Sequence, residues 1–187
     1  AADGAEINQS AESESASSEI RSARGRSYRV TVQNVTAGNG LSPPLVVVSS
    51  PHFRLFDVGL PASAGVSKVA EQGATDVLEA ELAQNDEVRA TAKAEGGPIG
   101  PGQTRVIEVV VNGGGRGSEA HLNLIAMIGR SNDSFVARAQ SIDLSQVDRG
   151  AITVALTNFD AGSEANSGNV EDFGPGGHPV DGAEGIV

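Results

Sequence analysis

Two short motifs of the sequence carry closely spaced side-chain oxygens. Asn132, Asp133 and Ser134 follow one apolar run, and Asp160 and Glu164 follow another. Calcium prefers oxygen ligands of this kind, from carboxylates, amides and carbonyls, at about 2.3–2.6 Å. Asp and Asn are also ordinary residues of tight turns, where their side chains bond to the backbone. The residues alone therefore leave two interpretations open, a calcium site and a pair of capped turns.

The motifs of common catalytic sites do not occur in this chain. It contains no Gly-x-Ser-x-Gly nucleophile motif, no His-Glu-x-x-His zinc motif and no cysteine. His52, His121 and His178 lie far apart in the sequence, which favours ordinary hydrogen-bonded histidines over zinc ligands. The glycines of 113–117 lack the spacing of a nucleotide-binding loop and predict a hairpin loop. The sequence predicts a protein without enzymatic activity.

The amino-acid composition limits the classes of molecule that this chain could bind. The formal net charge is −11 at pH 7, and such a chain is repelled by nucleic acid and by anionic membrane surfaces. No apolar run is long enough to span a bilayer. Aromatic residues make up 3% of the chain, so the core has to be built from Val, Leu, Ile and Ala. The charge favours cations as ligands and argues against nucleic acid as a partner.

The chain begins with Ala1 and Ala2 rather than methionine. Small residues are typical of the mature end left by signal-peptide removal, so we expect a secreted, extracellular or cell-surface protein. A boundary chosen within a longer protein would look the same. Three Asn-x-Ser/Thr triplets could accept glycans in a secreted protein, although such triplets also arise by chance. They begin at Asn8, Asn34 and Asn132.

Two segments of different composition divide the chain. Residues 1–27 are rich in Ser, Glu and Ala, with Ile7 and Ile20 as their large apolar residues. Such a segment cannot bury enough surface to offset its loss of conformational entropy. We expect it to form a tail, or an arm held by a neighbouring subunit. Residues 28–187 form the predicted folded domain, which ends in a segment rich in Gly and Pro.

Short alternating or β-branched runs follow one another through this domain, as in β-strands. In the first run, Tyr28, Val30 and Val32 share one face of the predicted strand. Residues 61–85 have helical spacing instead and predict one or two short helices in a crossover. About seven strands separated by turns predict a mainly β fold, an antiparallel β-sandwich. The predicted strands lie within 28–33, 45–48, 52–58, 88–93, 105–111, 121–128 and 152–156.

Three blocks of the sequence, in this order, resemble the spondin N-terminal domain of animal matrix proteins and bacterial secreted proteins. Residues 42–63 contain Ser-Pro-Pro-Leu-Val-Val, then Phe-Arg-Leu-Phe-Asp-Val-Gly and Pro-Ala-Ser. Residues 126–136 contain Ala-Met and Ser-Asn-Asp-Ser-Phe-Val. Residues 159–179 contain Phe-Asp-Ala-Gly-Ser-Glu and Gly-His-Pro. The resemblance covers roughly residues 28–180 and implies a β-sandwich related to C2 domains.

The resemblance also implies a calcium ion near one end of the sandwich. By the matching motifs, Asp133 and Asp160 are the best candidate ligands, with Glu164 next and Asn132 as a further member of the shell. Both motifs follow predicted strands, and adjacent strand ends would bring three carboxylates together. Such carboxylates repel one another without a cation. Ca²⁺ is therefore the expected cofactor.

The chain departs from the family after the Gly-His-Pro motif. Family members usually continue into one more apolar strand that pairs near the first, and residues 160–187 contain no comparable run. The first strand would then have an exposed edge. A strand donated by another subunit is one way to cover such an edge. The residues assigned to this contact are Tyr28, Val30 and Val32 of the strand and Ile7 and Ile20 of the arm.

Three functions are compatible with these features. The preferred one is a secreted, calcium-binding structural or adhesive protein that assembles with itself into a filament or matrix. The first alternative is a monomeric module that binds a matrix or cell-surface molecule. The remote alternative is a hydrolase or carbohydrate-binding protein, which would need a concave site with aromatic residues. The chain offers five Phe and one Tyr for such a site.

Overall fold

A computed structural model describes residues 25–112, 119–166, 169, 171, 173 and 185–187, apart from the side chains of 148 and 149. These residues form a mainly β fold with antiparallel sheets and two short α-helices, so the predicted fold class is confirmed. Neither helix is long and apolar enough to cross a membrane. The strands are β1 (Arg26–Gln33), β2 (Leu45–Ser49), β3 (Val88–Lys93), β4 (Thr104–Val111), β5 (His121–Met127), β6 (Ser134–Ala137), β7 (Ile142–Asp143) and β8 (Thr157–Asp160). The helices are α1 (Ala64–Gln72), α2 (Asp76–Ala83) and a 3₁₀ helix (Leu144–Arg149).

The strands form two sheets. The larger sheet has the order β3-β2-β5-β6-β8, with β7 also paired to β5. The smaller sheet consists of β1 and β4, which pair along their full lengths without a bulge. All of these pairings are antiparallel. The two sheets face each other across one apolar core, as in a sandwich.

The larger sheet is covered on both faces, and β2 shows this most clearly. Val46 and Val48 pack into the core shared with β4, which includes Val109. Leu45 and Val47 point the other way and pack with the buried faces of α1 and α2. A strand that is buried on both faces reads as a continuous apolar run instead of an alternating one. The helices that the sequence places in a crossover thus form a third layer of the domain.

The two helices are joined at their ends by one glutamate. Ser63 caps α1, since its Oγ accepts a hydrogen bond from the N–H of Val66. Glu81 of α2 reaches the same end of α1, where it accepts from the N–H of Gly65 at 2.8 Å and from Ser63 Oγ at 2.7 Å. The close approach leaves no room for a larger residue at Gly65, because a Cβ there would lie 2.5 Å from the Cα of Leu78.

Two predicted strands are wrong. Residues 52–58 contain turns, although Phe53 and Phe56 are buried. Residues 152–156 form no strand, and the side chains of Ile152 and Val154 are more than a third exposed. The strand instead begins at Thr157, directly after the predicted range, as β8, where pairing with β6 buries Phe159. The β-branched residues before it have the local preference for a strand but no partner among the described residues.

The last described residues close the edge of the core beside β8. Ile186 is fully buried, its N–H donates to the carbonyl of Leu60 at 3.0 Å, and its own carbonyl accepts from Gly59 at 2.7 Å. Val187 exchanges two backbone hydrogen bonds with Asp160, at 2.9 and 3.2 Å. The sequence predicts no structural segment here, because three residues are too few to show a hydrophobic period.

Candidate metal centre

Strand register brings the two oxygen-rich motifs together. β5 and β6 form a hairpin whose connection contains Asn132 and Asp133, and β6 pairs with β8 so that Ser134 lies opposite Asp160. The N–H of Ala161 donates to the carbonyl of Asp133 at 3.0 Å, which extends this pairing into the loops. The two motifs are therefore adjacent in the fold. The strand that precedes the second motif is β8, which ends at Asp160 itself.

Asp133 is the most constrained residue of the site. Its side chain is fully buried, and Oδ2 accepts hydrogen bonds from the N–H of Glu164 at 2.9 Å and from Ser163 Oγ at 3.3 Å. Its other oxygen, Oδ1, is buried and has no hydrogen-bond partner among the described residues. Burial of an unpaired carboxylate oxygen is costly, and native proteins usually supply a partner for such an atom. Asp133 Oδ1 is therefore a buried polar atom that its described neighbours leave unsatisfied.

Asp160 shapes the second loop of the site. Its Oδ1 accepts from the N–H of Gly162 at 2.8 Å, and its Oδ2 accepts from Asn166 Nδ2 at 2.9 Å. The first bond forms an Asx-turn, in which an Asp side chain replaces a backbone carbonyl. Gly162 has a φ of 64°, a left-handed conformation that glycine adopts without strain. This turn brings Ser163 and Glu164 to Asp133.

Negative charge is unfavourable in this site. Burial raises the pKa of Asp133, and the charge of Asp160 raises this pKa further. The hydrogen bonds from the backbone of Glu164 and from Ser163 act in the opposite direction. The folded chain thus holds the Asp133 carboxylate at a cost that either a proton or a cation would relieve.

The third predicted carboxylate does not join the other two. Among the described residues, no group of three or more His, Cys, Asp or Glu side chains is arranged to hold a metal ion. Glu164 contributes its backbone N–H to Asp133 instead of its carboxylate. Asn132 is buried, and its Nδ2 donates to the carbonyl of Ala165 at 3.3 Å, which joins the two loops. The centre therefore contains a carboxylate pair, Asp133 and Asp160, with Asn132 beside it in the same loop.

Three phenylalanines pack together next to the site and position its loops. Phe135 of β6 stacks on Phe159 of β8, with ring centroids 5.6 Å apart. Phe56 packs edge-on against both rings, at centroid distances of 5.2 and 4.8 Å. Phe159 directly precedes Asp160, and Phe135 lies two residues after Asp133. The packed rings hold the two strand ends, and thus the two carboxylates, in register.

Gly162, Ser163 and Asn166 also belong to the site, although local sequence patterns do not mark them as site residues. The Asp-x-Gly spacing at 160–162 is a turn signal that could have indicated the Asx-turn. The bonds of Ser163 and Asn166 had no such signal, because each depends on how the loop after β8 folds around Asp133 or Asp160.

Two of the three predicted glycan acceptors are buried. Asn34 is 1% exposed, and its Nδ2 donates to the carbonyls of Asn39 at 2.7 Å and of Ile99 at 2.8 Å. Asn132 is 6% exposed. The nitrogen that would carry a glycan is thus engaged in the fold at both positions. Asn8 lies outside the described residues, as do the predicted arm anchors Ile7 and Ile20.

The Spondin_N family model matches residues 33–170. The chain belongs to the Spondin_N family. The matched range includes both site motifs, the three phenylalanines and every strand from β2 to β8. Spondin_N is a non-catalytic domain family of the extracellular-matrix type. No curated protein is similar enough to the chain to count as a relative.

Proposed function

We propose that this chain is a secreted, calcium-binding structural or adhesive module without enzymatic activity. The observation that carries the proposal is the buried Oδ1 of Asp133, which has no hydrogen-bond partner in the described part of the chain and lies in a loop paired with Asp160. A cation would supply the partner and offset the repulsion between the two carboxylates. Calcium fits best, because the side chains at this point offer hard oxygen atoms and no sulfur or imidazole.

The proposed ion is held mainly by three side chains. Asp133 supplies Oδ1, and Asp160 and Asn132 supply a carboxylate and an amide oxygen. Glu164 stays a predicted ligand, although its carboxylate is not grouped with the others. Calcium takes 6–8 oxygens, so backbone carbonyls and water complete the shell. The bound ion supplies positive charge that joins the β5–β6 loop to the loop after β8.

The aromatic residues favour this structural role over a hydrolase or carbohydrate-binding role. Phe53, Phe56, Phe135 and Phe159 are all buried in one core cluster. Tyr28 is half-buried on β1. These rings are therefore unavailable as a platform for a sugar, and Phe173, which is 39% exposed, is a single ring. The module instead acts through its surfaces, and its partners are second copies of itself or extracellular matrix and cell-surface molecules.

Self-assembly is the preferred use of these surfaces, because β1 has an exposed edge within the described part of the chain. Its neighbour there is β4, on one side. The predicted contact residues Tyr28, Val30 and Val32 lie on the inward face of this strand, as the alternation predicted. A monomeric binding module remains the alternative.

Calcium-dependent thermal unfolding tests the metal centre. A site of the extracellular class has a dissociation constant of about 10⁻⁴–10⁻³ M. At about a hundredfold excess, calcium should stabilise the fold by about 2.7 kcal/mol, which raises the midpoint by about 5–10 °C. Asp133→Asn and Asp160→Asn should abolish this gain. The matched control is Asp86→Asn, which changes an exposed acid and should retain it.

Either of two results would contradict the calcium proposal. One is a wild-type midpoint that is the same in calcium and in chelator. The other is a calcium-dependent gain that survives both Asp133→Asn and Asp160→Asn.

A further inference from the structure

Backbone hydrogen bonds determine which residues of β1 point away from β4. Beyond the end of β1, the N–H of Asn34 donates to the carbonyl of Gln103 at 2.9 Å, in the same register as the strand pair. Backbone groups alternate between the two sides of an antiparallel strand. The backbone groups of the even-numbered residues of β1 therefore bond to β4. The odd-numbered residues direct their N–H and C=O groups outward, to the open edge of the sheet on the side away from β4. These outward residues are Ser27, Arg29, Thr31 and Gln33.

Within the described part of the chain, this outer edge has little of the usual protection against pairing, with Arg26 and Arg29 as its charged residues. All the outward residues are exposed, and no described strand bonds to them. β1 spans eight residues and contains no proline, no lysine and no bulge. Natural proteins usually shorten, bend or charge such an edge, because it is a template for another strand.

We propose that the outer edge of β1 pairs antiparallel with β1 of a second copy, around a twofold axis at Val30. The pairing joins the β1–β4 sheets of the two copies into one continuous sheet. This inference names the partner surface for the self-assembly proposed above and rests on that part of the proposed function. It is independent of the metal centre.

Backbone hydrogen bonding favours this register of the two β1 strands over the neighbouring registers. With the axis at Val30, Ser27 lies opposite Gln33 of the second copy, and Arg29 lies opposite Thr31. Every outward residue of β1 then exchanges its N–H···O bonds with an outward residue of the partner. A shift of the axis to Arg29 places two arginines directly opposite each other, which is unfavourable. A shift to Thr31 leaves Ser27 without an opposite residue in β1.

The side chains favour the same register. On the inward face, Tyr28 lies opposite Val32 of the second copy, and Val30 lies opposite its own equivalent. Aromatic and β-branched pairs across strands stabilise a sheet by about 0.2–1 kcal/mol each. Tyr28 and Val30 are half-buried in the single chain, so pairing removes more of their apolar surface from water. On the solvent-exposed face of β1, Arg29 is already paired with Glu108 of its own chain at 3.2 Å. This ion pair reduces the repulsion between the two copies.

Disulfide trapping in the full chain tests the axis, since the protein has no cysteine of its own. In the proposed dimer, the two Val30 Cα atoms form a pair without hydrogen bonds, about 4.5 Å apart, which is within reach of a disulfide. Val30→Cys should therefore give a covalent dimer under mild oxidation, seen on a non-reducing gel and by mass spectrometry. The matched control is Tyr28→Cys, whose equivalents lie about 13 Å apart and should not link. A mixture of Tyr28→Cys and Val32→Cys chains should link.

Linking of Tyr28→Cys as efficiently as Val30→Cys, or no linking of either, would overturn the proposed register. A second variant, made in the Val30→Cys background, distinguishes this dimer from a contact made by the arm. Ile7→Asp with Ile20→Asp should leave linking unchanged. Loss of linking would show that the arm, and not the β1 edge, holds the two copies together, and stronger linking would show that the arm covers the edge. Chelator should not change linking, so the metal centre and the dimer can fail separately.

Charge changes at Thr31 test the same register without a cysteine. Thr31→Glu places an acid opposite Arg29 of the second copy and should strengthen association severalfold. Thr31→Lys places a like charge there and should weaken association by a similar factor. Both variants keep the hydrogen bonds between β1 and β4, because Thr31 is exposed and its backbone groups point away from β4. Sedimentation velocity measures the monomer–dimer equilibrium, and an equal response to both variants would contradict the register.

Discussion

At the scale of single residues, Asp133 would link the protonation of the chain to the proposed calcium binding. Its raised pKa means that, without a cation, the folded state binds this proton more tightly than the unfolded state, whose pKa is near 3.8. Between these two pKa values the free energy of unfolding falls as the pH rises. Calcium reverses the direction, because it binds the carboxylate form. The stabilisation by calcium should therefore grow as the pH rises through the same window.

This linkage is measured as a difference between wild type and Asp133→Asn, since other acids also titrate. In chelator, the thermal midpoint of wild type should fall relative to that of Asp133→Asn as the pH rises above about 4. In calcium, the wild-type midpoint should rise above that of Asp133→Asn over the same range. Parallel pH curves of the two proteins in chelator would show that Asp133 has an ordinary pKa.

At the scale of elements, β8 depends on neighbours from distant parts of the chain. It pairs with β6, and its last residue, Asp160, also bonds to Val187. Ile186 fills the core beside Phe56, Phe135 and Phe159. The segment 185–187 therefore supports the strand that carries half of the carboxylate pair.

Removal of the Ile186 side chain should destabilise the domain strongly. Truncation of a fully buried isoleucine to alanine typically costs about 2–5 kcal/mol, because it leaves a cavity. Val187→Ala is the matched control, since Val187 is 70% exposed and its loss should change the free energy of unfolding by about 0.5 kcal/mol or less. Urea unfolding of both variants measures the difference. Equal stability of the two would mean that Ile186 is not docked in the core.

At the scale of the whole molecule, net charge opposes self-association. Two copies that each carry a charge of −11 repel one another, whereas the proposed β1 contact consists of backbone hydrogen bonds and apolar pairs. Salt screens the repulsion, because the Debye length falls from about 10 Å at 0.1 M to about 3 Å at 1 M. Association of the copies should therefore strengthen as sodium chloride rises over this range. Dissociation at high salt, seen by sedimentation, would show that ion pairs carry the contact instead.

Local patterns of the sequence were sufficient to predict much of this fold. The alternation of Tyr28, Val30 and Val32 predicted β1 and its inward face, because side chains of a strand point to opposite faces in turn. The same reasoning failed at 152–156, where the pattern of a strand is present. Pairing with β6 selected residues 157–160 instead, since burial of Phe159 and a hydrogen-bonded partner outweigh local preference.

The sequence by itself determined the class of fold, the face of β1 and the two oxygen-rich motifs, because each depends on residues close together in the chain. Only the tertiary structure decided that Asp133 is buried with an unpaired oxygen, that Glu164 contributes its backbone and that Ile186 enters the core. These features depend on strand register and on the space left between packed layers. Both arise from contacts between distant residues, which no local period encodes.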